Sequence, residues 1–239
     1  MVADEAFFIT GASASTASNP NPENARRSLV MISVLIYHPE EGLILFETGA
    51  GKDYPKVWGP QLVDLFAREG YTEDMELDAQ IKLTGNDIKD VKAVIIGHLH
   101  IDHAGGLEHF RNTDVPIYTH ELELKHAFYS VASKTDLGAS LGFARGIFLH
   151  HCPGHTPGLC IAQINLKDSG TWVLTSDQYV VQENYDSLAP QGWLTRDHHS
   201  WSQSNQMIHF LQKTTGAKLI FGHDREVLMR YKLAPSYYA

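Results

Sequence analysis

A short stretch of the sequence concentrates side chains that bind metal ions. His98, His100, Asp102 and His103 lie within six residues, in the order His-x-His-x-Asp-His. They follow the apolar run 91–96, which predicts a buried strand, and a loop at the end of a strand is a rigid place to hold ligands. His98 and His100 are two residues apart, so in an extended segment they project to the same side and can bind one cation. Asp102 and His103 are adjacent and leave the backbone in different directions, so they can serve a second cation.

Three further candidates share this local context, because each lies in a turn after a strand-like run: His155, Asp177 and His223. The complete set then contains five imidazoles and two carboxylates. Two divalent cations with three protein ligands each and one bridging carboxylate would use all of them, and would leave positions open for water and substrate, as a catalytic zinc site requires. The set contains no cysteine, and imidazole with carboxylate suits Zn²⁺ while admitting Fe, Mn or Co.

The segments that must position these residues alternate between strand-like and helix-like patterns. Residues 29–46 predict a β-hairpin, and residues 159–175 predict a second pair of strands around a turn. The pattern of strands followed by alternating strand and helix occurs twice, which predicts a single α/β (α+β) domain over residues 1–239, with two packed sheets and helices outside. Apolar spacing and flanking residues predict helices over residues 60–70, 76–83, 120–132 and 198–213.

Two other segments carry predictions near the site. Residues 7–9 form an apolar run that predicts a first strand, and the polar stretch 11–28 predicts a loop that overhangs the site. Residues 133–145 predict a flexible insertion.

Composition and charge narrow the range of binding partners that the protein can have. The chain has 239 residues, is 43% hydrophobic, carries a net charge of −9 and has no run of Lys or Arg. Nucleic acid and anionic membrane surfaces are therefore disfavoured, and no apolar stretch is long enough to span a membrane. The N-terminal residues lack the pattern of a signal peptide. Cys152 and Cys160 cannot form a disulfide framework, so we expect reduced thiols and a cytoplasmic protein.

Four motifs in order carry a resemblance to a known family. The sequence resembles metallo-β-lactamase-fold hydrolases, and within them the N-acyl-homoserine lactone lactonases that degrade bacterial quorum signals. This resemblance implies a four-layer αββα sandwich and a quorum-quenching lactonase. The motifs are GHLHIDHAGGL at 97–107, CPGHTPG at 152–158, LTSDQY at 174–179 and IFGHD at 220–224.

The resemblance also implies how the ligands are divided between two zinc ions. One ion takes three imidazoles, the other takes one carboxylate and two imidazoles, and a second carboxylate bridges them. The implied sets are His98, His100 and His155 for the first ion, Asp102, His103 and His223 for the second, and Asp177 as the bridge.

A dinuclear site of this kind supports a specific hydrolytic hypothesis. A metal-bridging hydroxide attacks the carbonyl carbon of a lactone, and no covalent enzyme intermediate is needed. Asp102 either moves a proton to the leaving ring oxygen or is a ligand only. Tyr179 either donates a hydrogen bond to the oxyanion or packs under the site, and Tyr185 is the alternative donor.

Two departures from the family pattern bear on this hypothesis. Many lactonases have Asp-Thr-Gly after the first hairpin, whereas this chain has Glu47 followed by Thr48 and Gly49. The family tyrosine follows the bridging Asp by three residues, whereas Tyr179 follows Asp177 by two. Rival activities on the same ligands are a glyoxalase II-like thioesterase and a phosphodiesterase or organophosphate hydrolase. A small-molecule lactone or ester is the expected partner, and the sequence does not specify an oligomeric state.

Other polar residues near the motifs are candidates for orienting the ligands. His150 and His151 lie close to His155 in the sequence, and Asp224 follows His223 directly. A carboxylate or carbonyl that holds the second ring nitrogen of a ligating histidine fixes its tautomer and orientation. These residues are therefore candidates for contacting the ligand imidazoles, while a surface or satisfied core position is the default expectation for His150 and His151.

Overall fold

The structure is a computed structural model, and it describes residues 1–4, 26–127 and 144–239. The predicted strand at 7–9, most of the loop at 11–28 and most of the insertion at 133–145 lie outside these residues. The described strands are β1 (Val2–Asp4), β2 (Arg26–Ser28), β3 (Val34–His38), β4 (Gly42–Phe46), β5 (Val91–Ile95), β6 (Ile117–Tyr118), β7 (Ile147–His151), β8 (Cys160–Leu166), β9 (Gly170–Leu174) and β10 (Lys218–Ile220). The described α-helices are α1 (Tyr54–Leu65), α2 (Leu77–Leu83), α3 (Ile101–Ala104), α4 (Glu121–His126), α5 (Gln182–Asp186), α6 (His198–Thr215) and α7 (Arg225–Leu228).

Two four-stranded sheets form the centre of the molecule. One has the order β3-β4-β5-β6, in which β3 and β4 are antiparallel and the other pairs are parallel. The other has the order β10-β9-β8-β7, in which β10 pairs in parallel with β9 and the remaining pairs are antiparallel. The directions of these pairs make β7, β9 and β10 run the same way, so their carboxyl ends meet at one edge of the sheet.

Alternating side chains divide the core into layers. Ile44 and Phe46 of β4 and Leu174 of β9 belong to one buried cluster between the two sheets. The intervening Leu45 and Val173 belong to clusters on the outer faces. This alternation is what a strand produces, because successive side chains point to opposite faces of the sheet.

Helices cover both outer faces. Trp201 and Ile208 of α6 are buried in the cluster that contains Val173, and Ile81 of α2 is buried in the cluster that contains Leu45. The result is the predicted αββα sandwich, which the described residues confirm. Among the helices of these described ranges, none combines the length and apolar character needed to cross a membrane.

The predicted hairpin over residues 29–46 is wrong at its start, because its first strand, β3, begins at Val34. Leu29 is buried against Val180 and Val181, away from the sheet. Val30 donates its backbone N–H to the carbonyl of His223 at 3.2 Å. An apolar run alone does not distinguish a strand from a buried connection, and this connection supports a site residue.

Two other predicted element boundaries also differ from those in the structure. The helix expected at 60–70 is α1, which begins at Tyr54 and bends at Gly59, where φ is 75°. This left-handed conformation suits glycine, and the Pro60 that follows cannot continue a regular helix. Residues 26–28, predicted as loop, form β2 and pair with β1.

Candidate metal centre

The predicted ligands come from the carboxyl ends of strands in both sheets. The loop after β5 carries His98 and His100, and α3 carries Asp102 and His103. In the second sheet the strands β7, β9 and β10 deliver the remaining three candidates at their carboxyl ends: His155, Asp177 and His223. The structure therefore brings all seven predicted residues to one edge of the sandwich.

The first ligand group consists of His98, His100 and His155. Nε2 of His98 lies 3.1 Å from Nδ1 of His100, and Nε2 of His155 also lies 3.1 Å from that atom. Zinc binds imidazole nitrogen at 2.0–2.1 Å, so two tetrahedral nitrogen ligands lie about 3.3 Å apart. The three nitrogens fit one ion of this kind.

The second ligand group consists of Asp102, His103 and His223. Nε2 of His103 lies 3.1 Å from Nε2 of His223, and Oδ2 of Asp102 lies 3.4 Å from the latter atom. One carboxylate and two imidazoles on this spacing also fit a divalent cation.

Asp177 lies between the two groups and turns one oxygen to each. Oδ1 lies 3.3 Å from Nε2 of His103 and 3.1 Å from Nε2 of His223. Oδ2 lies 3.5 Å from Nε2 of His155 and 3.9 Å from Nε2 of His98. Oδ1 is buried and has no hydrogen-bond partner within the described structure, which fits a carboxylate oxygen that binds a cation.

The far nitrogens of three imidazoles are held by protein groups. Nδ1 of His98 lies 3.1 Å from the hydroxyl of Ser176, which itself donates to Glu47. Nδ1 of His223 donates to the carbonyl of Val30 at 2.6 Å. Nδ1 of His103 lies 3.4 Å from Oε1 of Glu47. Holding Nδ1 in this way leaves the Nε2 lone pair directed at the centre.

Burial and charge divide the imidazoles into two electrostatic classes. Burial lowers the pKa of His98 and of His155 well below its ordinary value. Burial also lowers the pKa of His103, but the carboxylates of Asp177, Glu47 and Asp102 outweigh it and raise the pKa well above its ordinary value. The first group therefore presents neutral imidazoles, the form that binds metal ions.

Asp177 and His223 complete this charge balance. Burial raises the pKa of the Asp177 carboxyl, but His223 and His103 outweigh it and hold the pKa well below its ordinary value. Burial lowers the pKa of His223, but the negative charge of Asp177, 3.1 Å away, outweighs this effect, so the pKa is raised. In the metal-free protein the carboxylates therefore favour the protonated forms of His103 and His223, and a metal cation can replace those protons.

Glu47 is a site residue that the sequence analysis did not include among the candidates. It is buried, has a φ of 60°, and accepts a hydrogen bond from Ser176 at 2.8 Å. A cavity of about 20 Å³, lined in part by Glu47, His103 and Ser176, lies beside it and can hold one water molecule. The one sequence signal was the glutamate found where the family pattern has aspartate.

The structure places neither predicted tyrosine hydroxyl on the ligand groups. Tyr179 is fully buried, and its hydroxyl donates to Oδ1 of Asn205 at 2.5 Å. The hydroxyl of Tyr185 donates to Gln212, and its ring stacks on His209 at 4.2 Å. Burial raises the pKa of both phenols. Of the two interpretations left open for Tyr179, this geometry favours packing under the site.

The other suggested orienting residues have different partners. Nε2 of His150 lies 3.0 Å from Oε1 of Gln163, and Nε2 of His151 donates to the carbonyl of Pro157. Oδ1 of Asp224 accepts the N–H of Val227 and caps α7, and Oδ2 accepts the N–H of Gln182, so this carboxylate does not hold the ring of His223. Proximity in sequence was a poor guide here, because the holding groups come from distant segments.

Clustered imidazoles and carboxylates at one edge of an αββα sandwich define a metal-dependent hydrolase. The chain belongs to the metallo-beta-lactamase superfamily, since the sequence model of that family matches residues 28–223. This confirms the superfamily that the four motifs indicated.

Three similar proteins extend the comparison. The chain is 30% identical over 193 residues to the N-acyl homoserine lactonase AttM of Azorhizobium caulinodans, with 70% of each chain covered. A structure of a B. thuringiensis AiiA variant with N-decanoyl-L-homoserine bound at the active site matches with a TM-score of 0.78 and 26% identity, covering 99% of this chain and 94% of that one. An N-acyl homoserine lactone hydrolase with its product N-hexanoyl-L-homoserine at the catalytic metal centre matches with the same TM-score and coverage at 25% identity.

Proposed function

We propose that this protein hydrolyses N-acyl homoserine lactones with two divalent metal ions held by the seven ligands. The observation that carries the proposal is the placement of Asp177, which turns Oδ1 to the second ligand group and Oδ2 to the first. A carboxylate that faces both groups fits two ions at one reaction centre. The similarity to AttM and to structures that hold N-acyl homoserines supports the substrate class.

Zinc is the proposed metal in both groups, with Fe, Mn or Co as substitutes. Each group offers three protein ligands and a share of Asp177, which leaves positions open for water and substrate. When bound, such ions polarise a carbonyl oxygen and lower the pKa of water to about 7, so that hydroxide is available at neutral pH.

Asp102 is the residue proposed to move the proton. Its side chain is 17% exposed, against 5% for Asp177, so it is the carboxylate that a substrate can reach. Water oxygen bonds to the carbonyl carbon, the ring C–O bond breaks, and the carboxylate of Asp102 passes one proton from water to the ring oxygen. The other proton is released with the carboxylate product.

A cytoplasmic location is also proposed. Both cysteines of the chain are free and buried, which suits a reducing compartment. The proposed partner is a small lactone, and the net charge of −9 argues against nucleic acid.

A substrate panel tests the proposal. Purified protein loaded with zinc is assayed with N-hexanoyl- and N-decanoyl-homoserine lactone, an aryl ester, a glutathione thioester, a phosphodiester and an organophosphate triester. We expect the highest kcat/KM for the lactones and an open-ring N-acyl homoserine as product. If the lactones remain closed while the thioester or a phosphate ester turns over, the rival activity replaces this proposal.

A further inference from the structure

Glu123 joins the two loops that carry the first ligand group. It lies on the short helix α4, where it is the one buried residue, with 4% exposure. Its Oε2 accepts the backbone N–H of Leu99 at 3.1 Å, and its Oε1 accepts the backbone N–H of Gly158 at 2.8 Å. A single carboxylate therefore connects two segments that are distant in sequence.

These two contacts lie next to all three imidazoles of the group. Leu99 is the residue between His98 and His100, and Gly158 is three residues after His155. Leu99 is itself 1% exposed, so its amide has no access to solvent as a substitute partner. The carboxylate thus fixes the spacing between the loop of His100 and the loop of His155.

The loop of His155 is shaped to accept this carboxylate. A Cβ at Gly158 would lie 2.7 Å from the backbone nitrogen of Glu123 and 3.0 Å from its Oε1, so the close approach requires glycine. Burial of a carboxylate is costly unless hydrogen bonds compensate, and the two amides supply that compensation. An apolar side chain would fill the space without joining the loops.

A second contact docks α4 on the same loop. His120, which caps the N-terminus of α4, stacks on His151 with ring centroids 4.1 Å apart and an interplanar angle of 11°. Nε2 of His151 donates to the carbonyl of Pro157, next to Gly158. The start of α4 is therefore held near the loop by His120 as well as by Glu123.

We propose that Glu123 is a positioning residue that sets the affinity of the first ligand group for its metal ion. It acts through the backbone of Leu99 and Gly158, and it touches neither the ion nor the substrate. The inference rests on the proposed metal centre and does not depend on which substrate is hydrolysed.

The test compares two glutamates of the same helix. Glu123→Gln keeps the side-chain shape but turns an amide N–H₂ towards one of the two backbone donors, so one hydrogen bond is lost. The matched control is Glu121→Gln, because Glu121 is exposed and pairs with Lys125 at the surface. Zinc affinities of the metal-free proteins are measured by competition with a chromophoric chelator, without substrate.

We expect Glu123→Gln to weaken one of the two zinc equivalents by about 10- to 100-fold, and to leave the other equivalent and the Glu121→Gln control at the wild-type values. Unchanged affinity for both equivalents, or equal weakening of both, would overturn the proposal. Failure of the wild type to open lactones would contradict the proposed function but would not alter this result.

A measurement on the unmodified protein guards against a variant that does not fold. Amide hydrogen exchange of Leu99 and Gly158 is followed by NMR in the metal-free wild type. Both amides should exchange at least about 10-fold more slowly than in an unfolded chain, because Glu123 holds them. Exchange of either amide at the unfolded rate would show that the carboxylate does not hold the loops.

Discussion

Nε2 of His223 lies 3.1 Å from Oδ1 of Asp177, although the two residues follow different strands. The strands β9 and β10 are parallel neighbours, and their carboxyl ends bring both side chains to the same edge. The opposite oxygen of Asp177 faces His155 at 3.5 Å. Within the described part of the chain, this carboxylate therefore faces both ligand groups, as the proposed bridging role requires.

Replacing Asp177 with Asn is expected to disrupt this sharing. The amide has the same shape, but it carries no negative charge and offers only one oxygen. Zinc content after dialysis should fall from two ions per chain to one or none, and lactone hydrolysis should fall by about 100-fold or more. Asp168→Asn, at an exposed turn after β8, is the control. Retained zinc with full activity in Asp177→Asn would contradict a bridging role.

Glu47→Gln tests the group behind His103. The substitution removes the charge that lies 3.4 Å from Nδ1 of His103 and weakens the acceptor of the Ser176 hydroxyl. We expect zinc affinity to fall by about 10- to 100-fold, the usual effect of losing a partner that orients a metal ligand. Affinity is measured by chelator competition, with the exposed Glu40→Gln as the control. Wild-type affinity in Glu47→Gln would mean that His103 needs no such support.

The substitution Tyr179→Phe distinguishes between the two roles considered for Tyr179, a packing residue or a hydrogen-bond donor to the oxyanion. The hydroxyl of Tyr179 donates to Asn205 in the core, so its loss leaves a buried acceptor unpaired and costs about 1–3 kcal/mol of stability. Thermal unfolding should show this loss, while kcat for lactone opening should stay within about twofold of the wild type. A fall in kcat of about 10²–10³ would instead assign the hydroxyl to the oxyanion.

The two thiols are expected to be inert in the folded protein. Burial raises the pKa of Cys160 to about 12 and raises that of Cys152 well above its ordinary value. Because the thiolate is the reactive form, and only about one Cys160 in 10⁴ is ionised at pH 8, Ellman's reagent should label neither residue within minutes. Both should react after unfolding in guanidinium chloride. Rapid labelling of one equivalent in the native protein would contradict this burial.

The clustering of the seven candidate ligands was predictable because its signals are local. His98, His100, Asp102 and His103 stand in one compact motif, and the other three ligands each follow a strand-like run. Strand ends meet at a sheet edge, so position in the sequence translates directly into proximity. The two-sheet sandwich followed from the same alternation of strands and helices.

The supporting residues were not predictable in this way. Glu123 stands in a polar helix, and it is buried only because two distant backbone amides meet it. Glu47 acts through Ser176, which lies 129 residues further along the chain. Neither relationship has a sequence period or a spacing, since both arise from the packing of one sheet on the other. The hydrogen bond of the Tyr179 hydroxyl likewise depends on the position of α6, which carries its acceptor Asn205.

The most direct test of the account is a zinc titration of the metal-free wild type. Hydrolysis of N-hexanoyl-homoserine lactone is measured after each addition and plotted against zinc equivalents per chain. Activity should rise until two equivalents are bound and should then stay constant. A full plateau at one equivalent, or no ring opening at any zinc loading, would contradict a lactone hydrolase with two metal ions.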